Sequence, residues 1–263
     1  MRLHRPWGTL RYGDEGRGPL VVLLHPLALS GAVWRRLVDD LSSEFRVVTP
    51  DARGHGESTW DGTAFSIPDL AADVAALVEH LDAGPAHLAA LSMGGCTAVA
   101  LAVRHPTLVG SLTLADTTAD YGPDKAVTWA ERATKAVSIP RERQLSFQRD
   151  RWFSPQFLEE DPAEVDRVSL IFTRTGSEAH AAACRAMGAF DDTSRLSGIS
   201  APTRVIVGED DYATPPDMAA TLHHGIAGSD LHVLGGTRHL SLIESAEARE
   251  LAREHIVAVA ART

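Results

Sequence analysis

A chain of 263 residues with 44% hydrophobic content is long enough for one well-packed α/β core carrying a small insertion, and two full domains would fit only tightly. The formal net charge of −10 excludes a general nucleic-acid binder, because phosphate contacts need a basic surface to release counterions. Cys96 and Cys184 lie far apart and lack CxxC spacing, so neither a zinc site nor a disulfide framework is expected, and both read as reduced, buried thiols.

The N-terminal stretch "MRLHRPWGTLRYGDEG" has basic residues but no apolar segment behind them. No apolar run in the chain reaches about 18 residues, so a cytoplasmic protein without a membrane partner is expected. "PLVVLLHP" is a short apolar run ending in a turn, the pattern of a strand buried on both faces of a parallel sheet. In "SGAVWRRLVDDLSS" that follows, Val33, Trp34, Leu37, Val38 and Leu41 recur at helical spacing. "FRVVTPD" reads as a second buried strand. The next helix, "SIPDLAADVAALVEHLDAG", has Ser66 as N-cap, Pro68 in its first turn and Gly84 just beyond its end. Strand "AHLAAL", helix "GGCTAVALAVRHP" and strand "VGSLTLAD" continue the alternation, which predicts a mostly parallel, doubly wound α/β sheet.

The rhythm stops from about Tyr121 to Arg195. Helical patterns occur there ("AVTWAERATKAV", "AEVDRVSLIFTRT", "EAHAAACRAMGAF") with no convincing strand between them. Alternation resumes with "TRVIVGED", "DMAATLHHGI", "LHVLGG" and a last helix, "AEARELAREHIVAVAA". The expected organisation is a core built from residues 1–118 and 199–263, interrupted by a helical insertion over residues 119–198.

Within "ALSMGG" the residues around Ser92 approximate the G-x-S-x-G nucleophile elbow, with Ala90 in the first glycine position and Gly94 in the second. The serine of such an elbow sits in a strained turn between strand and helix, so its flanking residues must be small. The helix that begins near Met93 directs free N–H groups and its positive end toward a developing oxyanion. Taken alone, the motif also fits a small residue at a tight turn. A serine nucleophile needs an imidazole to take its proton and a carboxylate to orient that imidazole. Asp210 and Asp211 follow a buried strand in "VIVGEDDYATPP", and His239 lies in the loop "LGGTRHLSLIE" before the last helix. Serine, acid, then histidine is the chain order of the α/β-hydrolases.

Five motifs in that order carry a resemblance to this superfamily across nearly the whole chain. "LLHPLALSGAVW" resembles its oxyanion loop, "PDARGHGES" its turn after the following strand, "ALSMGG" its elbow, "GEDDYATPP" its acid loop and "RHLSLIE" its histidine loop. The inserted segment, with "DTTADYG", "RWFSPQF" and "GAFDDTSRLSGISAPT", is similar to the lids of 3-oxoadipate enol-lactonases. Ala90 departs from the family's glycine, and "AMGAFDD" stands near the lid's end where the resemblance implies a more polar stretch.

The resemblance implies Ser92 as nucleophile, His239 as general base and Asp211 as its orienting acid, three residues before Thr214 as in the family. Asp210 is the competing acid, and Asp116 stands where some relatives of this fold place theirs. The oxyanion donors are expected to be the backbone N–H groups of Met93 and Leu27, since Pro26 has no N–H. His25 reads as an internal loop tie. Asp51, Arg53, His55 and Glu57 of "DARGHGES" read as a hydrogen-bonded loop, with Arg53 opposing any cation. The "HH" at 223 and 224 shows no ligand spacing, and no metal or cofactor is expected.

Between Lys125 and Arg151 seven basic residues (Lys125, Arg132, Lys135, Arg141, Arg143, Arg149, Arg151) face three acids, a local excess that would draw an anionic substrate. The other reading is a set of solvated helix faces. Trp129, Trp152 and Phe153 are the candidate pocket residues, with Phe157 and Phe172 as further aromatics that either line the pocket or pack the lid. The expected activity is cofactor-independent opening of a small lactone of the enol-lactone type. A carboxylesterase, a carbon-carbon bond hydrolase and a perhydrolase share the machinery, and a small-molecule receptor shares the fold. Haloalkane dehalogenases and epoxide hydrolases need a carboxylate at the elbow, which Ser92 does not supply.

Overall fold

A computed structural model describes residues 1–262 of the chain. Eight strands, β1 (Arg2–Arg5), β2 (Gly8–Gly16), β3 (Leu20–Leu24), β4 (Arg46–Pro50), β5 (Ala86–Leu91), β6 (Val109–Ala115), β7 (Thr203–Gly208) and β8 (Asp230–Leu234), form one sheet. Their order is β1-β2-β4-β3-β5-β6-β7-β8. The β1–β2 and β2–β4 pairs are antiparallel, and every pair from β4 to β8 is parallel. Helices α1 (Arg35–Leu41), α2 (Ile67–Leu81) and α3 (Met93–Arg104) lie between β3 and β6 in the chain. Five more, α4 (Lys125–Ser138), α5 (Arg141–Trp152), α6 (Pro155–Glu160), α7 (Pro162–Arg174) and α8 (Ser177–Gly188), come between β6 and β7. The chain closes with α9 (Pro216–Gly225), α10 (Ser241–Glu244) and α11 (Ala246–Ala260).

Strand side chains alternate between two cores, as the pleat requires. Val22, Leu24, Leu88, Ala90, Leu112 and Leu114 pack with α2 and α3 on one face. Val21, Leu23, Val47, Ala89, Leu91 and Ile206 pack with α1 and α11 on the other. Helix cover on both faces explains why β3 and β5 are apolar at nearly every position.

Local chemistry sets the element ends. The Ser66 side chain accepts from Asp69 N while the Asp69 carboxylate accepts from Ser66 N, a reciprocal cap on α2. At the other end the C-cap is Asp82, left-handed with φ 45°, two residues before Gly84, which has φ 81°. Aspartate tolerates that region better than most side chains. "SGAVW" opens as a 3₁₀ turn over Gly31–Trp34 before α1 begins. Gly31 is pressed so close to β4 that a Cβ there would stand 2.6 Å from the Thr49 carbonyl oxygen.

Two features lie outside the sequence expectation. The N-terminal segment forms the antiparallel pair β1–β2, in which Leu10 and Tyr12 point into the core while Arg11, Asp14 and Glu15 do not. Helix α5 has no apolar periodicity and is held by polar ties instead. Gln144 Nε2 donates to Ile139 O at 2.6 Å and to Ala136 O at 3.1 Å, and the Arg141 side chain is buried.

Candidate active site

Ser92 is the hinge between β5 and α3, with φ 56° and ψ −117°. A non-glycine residue there is strained, and its surroundings hold it. Ser92 N donates to Ala115 O at 3.0 Å, and Thr117 Oγ1 donates to Ser92 O at 2.7 Å. The helix that follows must pass close to two neighbours. A Cβ on Gly94 would stand 2.1 Å from Leu24 O, and one on Gly95 would stand 2.5 Å from the Thr117 side chain. Glycine is therefore required at both positions.

Asp211 follows β7 and His239 follows β8, so the sheet delivers both to the strand ends where Ser92 stands. His239 Nε2 lies 3.0 Å from Ser92 Oγ, and His239 Nδ1 lies 2.8 Å from Asp211 Oδ2. Asp211 accepts further bonds from Ala213 N, Thr214 N and Thr214 Oγ1. Burial disfavours the Asp211 carboxylate, yet His239 and these donors outweigh it and hold its pKa below the usual range. Burial likewise opposes the His239 imidazolium, but the Asp211 charge and hydrogen bond, with Asp116 behind them, carry its pKa above the ordinary histidine value. A carboxylate only accepts, so Nδ1 bears the hydrogen and Nε2 is free to take the Ser92 proton. Asp210 is exposed and makes no such contact.

Asp116 is buried at the end of β6 with φ 45°. It does not reach His239 as an acid partner. Its Oδ1 accepts from Gly208 N at 3.0 Å and its Oδ2 from Ser241 N at 2.9 Å, which ties the loops of Asp211 and His239 together. Burial, then the Asp211 charge, push its pKa up. Asp116→Ala would strand two buried N–H groups at about 1–3 kcal/mol each, so thermal unfolding should show a clear fall in Tm, and Asp116→Asn, which keeps one acceptor, a smaller one.

Upstream, His25 Nε2 accepts from Ala52 N at 2.9 Å, which leaves Nδ1 to donate to Pro26 O at 2.8 Å. Burial lowers its pKa to about 4. His25 thus braces the turn over Pro26, Leu27 and Ala28 as a neutral tie. Leu27 lines the same cavity as Ser92, and its N–H has no acceptor among the described residues. Met93 N opens α3, where no carbonyl of the helix can reach it. In the "DARGHGES" turn Asp51 accepts from Gly31 N and Glu57 N, and Arg53 pairs with Asp73. The turn is a hydrogen-bonded scaffold.

The cavity above Ser92 and His239 has a volume of about 690 Å³, and Trp129, Trp152 and Phe172 are among its walls. Phe153 departs from its expected place. It is fully buried and stacked on Phe157 at 5.2 Å, because the residue after α5 turns its side chain into the core instead of the cavity. The expected basic cluster divides. Lys125 is tied to Asp120 and Phe190 O, Arg149 pairs with Asp166, and Arg141 is buried against His180. Arg132 and Arg151 line the cavity and have no carboxylate within 4.0 Å among the described residues. Arg132 lies 4.2 Å over the Trp129 ring. Tyr121, His180 and Tyr212 also line the cavity, and nothing in their sequence spacing marked them.

The model of the alpha/beta hydrolase fold matches residues 19–246. The chain is 30% identical to 3-oxoadipate enol-lactonase 2 of Acinetobacter baylyi over 255 residues, 95% of this chain and 93% of that protein. Among solved structures, it superposes on the enol-lactonase of Burkholderia xenovorans with TM-score 0.92 and 31% identity, covering 98% of this chain and all of the other. It also superposes on a thermophilic esterase of Thermogutta terrifontis, solved with malate bound, with TM-score 0.91 and 28% identity over 98% and 99% of the two chains. Sheet order, site placement and these likenesses agree: the chain is a hydrolase and belongs to the α/β-hydrolase fold family.

Proposed function

We propose that this hydrolase opens a small, acid-bearing lactone, most closely of the 3-oxoadipate enol-lactone type, through an acyl-enzyme on Ser92. The observation that carries the reading is a single cavity lined by Ser92 and His239, with Asp211 hydrogen-bonded behind the imidazole, and by Arg132, which has no carboxylate partner among the described residues. Ser92 Oγ attacks the ring carbonyl as its proton passes to His239 Nε2. The oxyanion is held by the N–H groups of Leu27 and Met93. Collapse breaks the ring C–O bond, and His239 returns the proton to the leaving enol oxygen, which ketonises. Water then gives its proton to His239 and its oxygen to the acyl carbon, and Ser92 leaves with the proton. The protons of ring opening and deacylation pass through one imidazole, the released enol ketonises by giving up its O–H proton and taking one from water at carbon, and the chemistry requires no metal or cofactor.

Helices α4 to α8, within residues 119–198, act as a lid that sets what reaches Ser92. Arg132, stacked on Trp129, is placed to receive the substrate carboxylate. The esterase reading shares every catalytic group and is favoured by the likeness to the Thermogutta enzyme. The two separate on kcat/KM. An enol-lactone with a pendant carboxylate should outpace an aryl ester of similar size, and the reverse order would favour the esterase. Arg132→Met should raise KM for the charged lactone by about 10- to 100-fold while leaving hydrolysis of a neutral aryl ester nearly unchanged. Equal losses on both substrates would remove Arg132 from carboxylate recognition.

A further inference from the structure

His180, on α8, is 6% exposed and lines the same cavity as Ser92. Arg141 Nη1 lies 2.6 Å from its Nδ1. A guanidinium can only donate, so Nδ1 carries the lone pair and the ring hydrogen is on Nε2. That Nε2 has no hydrogen-bond partner among the described residues. Unlike His55 Nε2, it is not sealed within the protein. Burial first, then the Arg141 charge, hold the ring neutral, with a pKa of about 2. His180 therefore presents a neutral N–H of fixed tautomer to the cavity.

Behind the ring stands an unusual cation. Arg141 has no carboxylate within 4.0 Å among the described residues. Its Nη2 donates to Phe172 O at 2.5 Å, its guanidinium lies 3.7 Å over the Phe172 ring, and its Nε is buried without a partner. A buried charge left without a counter-ion is costly, and the imidazole between it and the cavity transmits its polarisation. What satisfies this arrangement is an oxygen acceptor arriving from the cavity.

We propose that His180 Nε2–H, polarised by Arg141, is a second substrate-binding donor that receives a carboxylate or carbonyl oxygen remote from the scissile bond. The substrate class is then an acid bearing a further oxygen function, such as a diacid or an oxo-acid. The inference rests on Ser92 being the nucleophile only for its kinetic readout, and a binding readout stands apart from it. His180 and Arg132 line one cavity of about 690 Å³.

The test compares monoaryl glutarate, aryl 5-oxohexanoate and aryl hexanoate as substrates of the wild type, His180→Phe and His180→Gln. His180→Phe should raise KM for the oxygen-bearing chains by about 10- to 100-fold and leave hexanoate within about threefold, and His180→Gln, which keeps an N–H donor, should restore most of the loss. A carboxylate is the ligand if glutarate suffers most, and a carbonyl if 5-oxohexanoate does. Uniform losses on all three esters, no loss on any, or failure of glutamine to outperform phenylalanine would overturn the proposal. Calorimetric binding of glutarate and 5-oxohexanoate, against hexanoate, to Ser92→Ala with and without His180→Phe reads the site without turnover. Absence of ester cleavage together with His180-dependent binding would remove the acyl-enzyme reading and keep this one.

Discussion

Ser92→Ala should lower kcat on every lactone and ester cleaved by the wild type by about 10⁴- to 10⁶-fold, while Tm moves by no more than about 2 °C. The size follows from the chain of bonds. In the proposed mechanism the Ser92 hydroxyl is the protein group that bonds to the acyl carbon, and removing it would leave His239 with water as its proton donor. The small effect on stability follows from the same geometry, because among the described residues the Ser92 side chain bonds only to His239 while its backbone stays tied to Ala115 and Thr117. Residual activity would come from the Leu27 and Met93 N–H groups acting on bound substrate. Parallel kinetics and thermal unfolding of the two proteins check both halves of this expectation.

Asp211→Asn should cost about 10⁴-fold in kcat, through two effects that one variant exposes. An amide can donate toward Nδ1, which would place the imidazole hydrogen on Nε2, where it cannot take the serine proton. The charge is lost as well. In the wild type Asp211 raises the His239 pKa against the pull of burial, so the acid limb of kcat/KM should lie above the ordinary histidine value of 6.5. His239 must be neutral to act as base, so activity rises with pH through that limb. With Asp211 replaced, burial loses its main opponent and the limb should move to lower pH. A limb that stays in place would mean another group sets the His239 pKa.

Strands β3 to β8, the N-cap of α2 and the order of serine, acid and histidine were legible because each rests on short-range chemistry: an apolar run, a capping serine, a loop after a strand. Asp211 could be told from Asp210 only by the family resemblance, and the structure separates them by burial. The β1–β2 pair was hidden because an edge strand carries charged residues between its few core positions. Helix α5 was hidden because Gln144 and Arg141 hold it through polar contacts that no periodicity records. Phe153 and Trp152 are adjacent in sequence and point to different surroundings, one into the core and one to the cavity. His180 carried no signal, since its role depends on Arg141, 39 residues away, fixing its tautomer.

The most direct test of the account is the site of covalent labelling by a fluorophosphonate, mapped by peptide mass spectrometry alongside loss of lactone-opening activity. The account predicts one phosphonyl group per chain, on Ser92, with activity falling in step with its incorporation and slower labelling when the charged enol-lactone saturates the enzyme. A label on another residue, or full labelling of Ser92 with lactone opening intact, would contradict it.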